Sequence, residues 1–75
     1  MITCTIGENA GRLWNILNET GEMTISQLMS SLAIDERSLF SAIGWLAREG
    51  KIYGREQNGE LYFSNQLFEG FINFG

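Results

Sequence analysis

The chain has 75 residues, 44% of them hydrophobic and 12% aromatic, and a formal charge of −4 from nine acidic and five basic side chains. That is enough for one small domain, residues 1–75, whose core must be dense or shared with a partner, and it is too apolar for a disordered segment. Without histidine and with Cys4 as the single cysteine, the chain lacks the parts for His-based triads, soft metal clusters or an internal disulfide, and its acidic balance disfavours bulk binding to phosphate backbones.

Ile2, Cys4 and Ile6 alternate with Thr3 and Thr5, which predicts a short extended lead-in. Thr5 followed by Glu8 has the spacing of a capping box, so a first helix is expected from there. Ile6, Ala10, Leu13, Trp14 and Leu17 then recur at helical spacing, with Trp14 read as core, and Gly21 stands just past the end.

From Glu22 to Ile25 the chain makes a short connection, with Met23 and Ile25 able to turn inward as a small first strand. Thr24 and Gln27 repeat the capping-box spacing, and Ile25, Leu28, Met29 and Leu32 keep helical period for about two turns. Ala33-Ile34 is then a turn, and Asp35 caps the next helix.

That third helix runs toward Gly50, and at about 100° per residue it has two poles. Leu39, Ala42, Ile43, Leu46 and Ala47 make the core side, whereas Arg37, Ser41, Gly44 and Arg48 share the opposite side. Trp45 lies on one rim and is a candidate interface residue, with Gly44 beside it leaving room for another backbone. Phe40, on the other rim, is expected to be taken up by a wide core.

After Gly50, Ile52 points one way while Lys51, Tyr53 and Arg55 point the other. Asn58-Gly59 is a strong hairpin signal, because a type I′ turn requires positive φ at both residues. A two-residue loop there pairs Gln57 with Glu60, Glu56 with Leu61, Arg55 with Tyr62 and Gly54 with Phe63. Ile52, Leu61 and Phe63 then share the side that is buried on the helices, and Gly54 leaves room for the Phe63 ring. The remaining tail, residues 65–75, carries Leu67, Phe68, Phe71, Ile72 and Phe74; helical and alternating readings fit it equally, and either way it needs a core or an interface to cover it.

The order helix, short strand, helix, turn, longer helix, two-stranded wing resembles the winged helix-turn-helix superfamily over about residues 5–64, an α+β fold with a three-helix core. The segments AIGWLAREGKI (Ala42 to Ile52) and ENAGRLWNIL (Glu8 to Leu17) resemble a family of small, uncharacterised bacterial proteins built from this domain alone. The resemblance implies a cytoplasmic bacterial homodimer with no assigned activity, and it brings no catalytic residues. A cytoplasmic, reducing compartment also follows from the lone cysteine and from the lack of a signal peptide or a bilayer-spanning run.

Two functions are compatible with these residues. One is a non-enzymatic regulatory module that acts by protein–protein contact, homodimerisation included, through the Trp45 rim with Gly44, the apolar tail or the N-terminal segment. The other is a sequence-specific DNA-binding regulator that uses Arg37, Ser38, Ser41 and Arg48 of the third helix with Arg55, Asn58 and Tyr62 of the wing. In the blander alternative Arg37 and Arg48 pair with Glu36 and Glu49 on a solvated face. The nine carboxylates are scattered, so no enzyme, cofactor, metal, membrane or small-molecule substrate is expected.

Overall fold

The computed structural model describes the backbone of residues 2–66 and 72–73 and the side chains of residues 5–66. Helix α1 spans Ile2–Thr20, strand β1 Met23–Thr24, helix α2 Ile25–Leu32 and helix α3 Glu36–Arg48. Strands β2, Tyr53–Gln57, and β3, Glu60–Ser64, form the wing hairpin, and a two-residue strand β4, Ile72–Asn73, follows. The α+β winged helix-turn-helix arrangement expected from the residue pattern is the one adopted.

Helix α1 corrects the reading of the N-terminus. Residues 2–4 are helical rather than extended, and Thr5 lies inside the helix rather than capping it. Alternation over five residues is a weak signal, because Ile2 and Ile6 also stand four apart, and adding a residue to an existing helix costs no new nucleation. Farther along, Ala10, Leu13 and Leu17 are buried while Ile6, Trp14 and Ile16 are half-buried. Gly21, at φ 92°, turns the chain out of the helix and donates its N–H to Leu17 O at 2.8 Å.

The ends of the next two helices are fixed by their own side chains. Thr24 Oγ1 accepts from Gln27 N at 3.2 Å, and Thr24 N donates to Gln27 Oε1 at 2.9 Å, so the predicted capping box closes in both directions. Asp35 Oδ1 accepts from Ser38 N at 2.8 Å at the start of α3. At its far end Gly50, with φ 69°, donates to Ala47 O at 3.0 Å and Lys51 N donates to Leu46 O at 2.8 Å. This pair of reversed bonds is a Schellman stop, which satisfies two terminal carbonyls and sends the chain straight into the buried Ile52.

The hairpin register is the predicted one at every pair, and Asn58 and Gly59 have the positive φ values, 55° and 78°, of a type I′ turn. The sheet is larger than a wing alone: its order is β1-β3-β2-β4. Met23 pairs with Phe63 and Thr24 with Tyr62, while β4 pairs with β2 through Tyr53↔Asn73 and Gly54↔Ile72. At residues 72–73 the tail is therefore extended; Leu67, Phe68, Phe71 and Phe74, and the side chain of Ile72, lie outside the described residues.

The core joins Ala10, Leu13 and Leu17 of α1, Leu28 and Leu32 of α2, and Leu39, Ala42, Ile43 and Leu46 of α3 to Met23, Ile52 and Phe63. Two apolar residues are left out of it, contrary to expectation. Leu61 is 40% exposed, because it stands two residues nearer the wing tip than Phe63 and beyond the helices that cover that face. Phe40 is 43% exposed, because the core is narrower than its rim position required.

Thr24 serves β1 and α2 at once, so Thr24→Ala should lower unfolding free energy by about 1 kcal/mol. Urea denaturation measures it, and Thr24→Ser should restore most of the loss because the hydroxyl acceptor is kept.

Candidate functional site

The outer face of α3 follows from its inner one. Four of its residues are buried on one side, so Arg37, Gly44 and Arg48 are exposed on the other with Ser41 half-buried among them. No atom outside the local chain lies within 4 Å of where a Gly44 Cβ would be, so this part of the face is open. Exposed Phe40 borders one side and half-buried Trp45 the other. Ser38 is tied to the helix start, its backbone N–H donated to Asp35, whose carboxyl is held below its ordinary pKa first by that backbone bond, then by the Ser38 hydroxyl, with Arg37 adding its charge.

Trp45 also forms one wall of a groove of about 590 Å³ between α1 and the end of α3. Gly7, Gly11 and Trp14 line it from α1, and Tyr53 and Asn65 close it from the sheet side. A Cβ on Gly7 would stand 3.8 Å from Trp45 Cζ2, an ordinary contact. Asn65 Nδ2 donates to Trp14 O and to Asn18 Oδ1, each at 3.3 Å, while its buried Oδ1 has no partner.

The electrostatics of the molecule turn on where its five cations go. Arg12 donates to Leu32 O at 2.6 Å and to Asn9 Oδ1 at 3.4 Å, which fastens α1 to the end of α2. Lys51 pairs with Glu49 at 3.5 Å. Arg55 holds Glu22 with three bonds, Nε to Oε1 at 3.1 Å and Nη2 to Oε1 and Oε2 at 2.9 and 3.0 Å. Its guanidinium also lies 4.3 Å from the centre of the Tyr62 ring and donates to Gln57. Among the described residues Arg37 and Arg48 form no ion pair; the expected pairing with Glu36 and Glu49 does not occur, and Glu49 takes Lys51 instead.

The residues suggested for DNA contact therefore separate into two groups. Arg37, Ser41 and Arg48 share one exposed helix face, as expected. Arg55 is bound to Glu22 and stacked on the Tyr62 ring, and Asn58 serves the turn, so the wing contributes structure at these positions. Glu22 went unnoticed in the sequence because it is 33 residues from Arg55. The available signal was the register: β1 lies beside β3, and Tyr62 is the cross-strand partner of both Thr24 and Arg55.

Among the described residues no three His, Cys, Asp or Glu gather where they could hold a metal ion, and no helix is long and apolar enough to cross a membrane. The model of a family described as a winged helix-turn-helix domain (DUF2582) matches residues 1–65. The chain is 43% identical over 51 residues to an uncharacterized protein of Methanocaldococcus jannaschii, MJ1608, covering 64% of this chain and 71% of that one. It also resembles the solution NMR structure of protein BT2368 from Bacteroides thetaiotaomicron, with a TM-score of 0.78 and 35% identity over 87% of this chain and 79% of the other.

Two measurements follow from these side chains. Arg55→Ala should destabilise the protein by about 1 kcal/mol in urea at low salt, and the difference should shrink as salt screens the Glu22 pair. Because folding lowers the Asp35 pKa, its charge stabilises the fold above the ordinary carboxylate range, and this contribution fades as pH falls below about 4. Urea midpoints of wild type and Asp35→Asn should differ at neutral pH and draw together as pH falls below the ordinary carboxylate range.

Proposed function

The chain belongs to the winged helix-turn-helix domain family DUF2582, and from that membership we propose that it is a small non-enzymatic regulatory module acting by protein contact, with the outer face of α3 as its contact surface. The observation that carries this reading is the distribution of positive charge. Three of the five cations are engaged within the chain, by Leu32 O, Glu49 and Glu22, which leaves Arg37 and Arg48 on a face bordered by Phe40 and Trp45. Two arginines with an aromatic border suit a protein interface, where Arg, Trp and Phe are enriched. A duplex-binding protein with on the order of 6–10 phosphate contacts needs many cations, and a molecule of charge −4 with two arginines unpaired among the described residues supplies few of them.

The DNA-binding reading keeps one observation in its favour. At about 100° per residue Glu36 and Glu49 fall roughly 120° and 100° from the pole that Arg37, Ser41 and Arg48 share, so that pole itself is free of carboxylates. A helix of this position in the wider superfamily enters the major groove.

Titration of a fluorescent random-sequence duplex at low and moderate salt separates the two. The protein-contact reading predicts no binding at either salt. Binding at low salt that disappears in the Arg37→Ala/Arg48→Ala double variant would replace it with the DNA-binding reading.

A further inference from the structure

If the outer face of α3 is a protein contact, as proposed above, its partner must present carboxylates at the spacing of its arginines. Arg37 and Arg48 are 11 residues apart, three helical turns plus about 20°, so they lie on one face about 16–17 Å from each other. On α1 Glu8 and Glu19 are also 11 residues apart, and both are exposed and unpaired among the described residues. They stand on the pole opposite Ala10, Leu13 and Leu17. The chain thus carries a basic face and an acidic face of the same period.

Within one chain these faces cannot meet. Helices α1 and α3 pack through their apolar stripes, Leu13 and Leu17 on one side and Leu39, Ala42, Ile43 and Leu46 on the other, which turns the charged poles outward and apart. We propose that the outer face of α3 docks on the outer face of α1 of a second copy, with the two helices antiparallel. In one register Arg48 meets Glu8 of the second copy and Arg37 meets its Glu19; the same register sets Ser41 against Asn15 and Gly44 against Arg12. Gly44 brings no side chain to that point and its surroundings are open, so the helices can approach there. Arg12, the like charge on the acidic face, is already drawn toward its own chain by Leu32 O and Asn9.

This contact joins two different surfaces, so it is head-to-tail: copies add in series unless the rotation between them closes a ring. Its ion pairs are exposed, so association is weak and falls as salt rises.

Sedimentation velocity of the full chain over a concentration series tests it, with two charge-reversed variants, Arg37→Glu/Arg48→Glu and Glu8→Arg/Glu19→Arg, whose folding is checked by circular dichroism. All four positions are exposed, so both variants should keep the fold. Wild type should pass from monomer to species beyond the dimer with concentration at low salt, and return to monomer at moderate salt. Each variant alone should remain monomeric, because its two faces carry the same sign. Mixed in equal amounts they should associate again, because every contact between unlike variants is complementary.

Wild type that stays monomeric at low salt, association that persists in either variant, or a mixture of folded variants that fails to associate would each overturn the proposal. A labelled duplex in the same runs keeps the underlying reading separate. A duplex that sediments with wild type and not with the arginine variant contradicts protein contact at α3 altogether. A duplex ignored by every variant, beside a failed charge swap, removes only the second copy as the partner.

Discussion

The apolar seam between α1 and α3 is the constraint from which the surface of this protein follows. Leu13 and Leu17 face a core completed by Leu39, Ala42, Ile43 and Leu46, and each helix commits one stripe to it. A helix has only one opposite pole, so burying these stripes determines which residues meet solvent: Glu8 and Glu19 on α1, and Arg37, Gly44 and Arg48 on α3. The stops at Gly21 and Gly50 hold the ends of both helices, so the position of each outward face along the helix is as defined as the core beneath it.

Around that seam the molecule uses most of its positive charge for its own architecture. Arg12 closes the end of α2, and Arg55 binds the wing to the segment that leads into β1. The second contact links residues far apart in sequence, with Tyr62 beneath the guanidinium and Glu22 at its edge. In a protein of charge −4 this leaves the outer face of α3 with two arginines that form no ion pair among the described residues. The same wing shape that elsewhere rests on a phosphate backbone here spends its arginine on a carboxylate.

What could be read directly from the residues was whatever depends on near neighbours in sequence. The Thr24–Gln27 capping box, the Asp35 cap, the stop at Gly50 and the Asn58-Gly59 turn are each complete within a few residues, and the turn alone fixes every pair of the wing. The helical face of Arg37, Ser41, Gly44 and Arg48 followed from periodicity in the same way. Contacts that depend on assembly were not legible. Glu22 reaches Arg55 because β1 lies beside β3, and the exposure of Leu61 and Phe40 depends on the packing of elements around them, which no local pattern records. At the N-terminus five alternating residues outvoted a helix that simply continued through them.

Arg12 and Arg55 are held by partners in their own chain, whereas Arg37 and Arg48 form no ion pair among the described residues. Nitrogen-15 NMR of the arginine side chains in dilute solution, where copies do not associate, reads this most directly. These contacts predict slowed exchange and restricted guanidinium rotation for Arg12 and Arg55, with freely averaging signals for Arg37 and Arg48. A freely rotating Arg55, or Arg37 and Arg48 restrained in the dilute monomer, would contradict it.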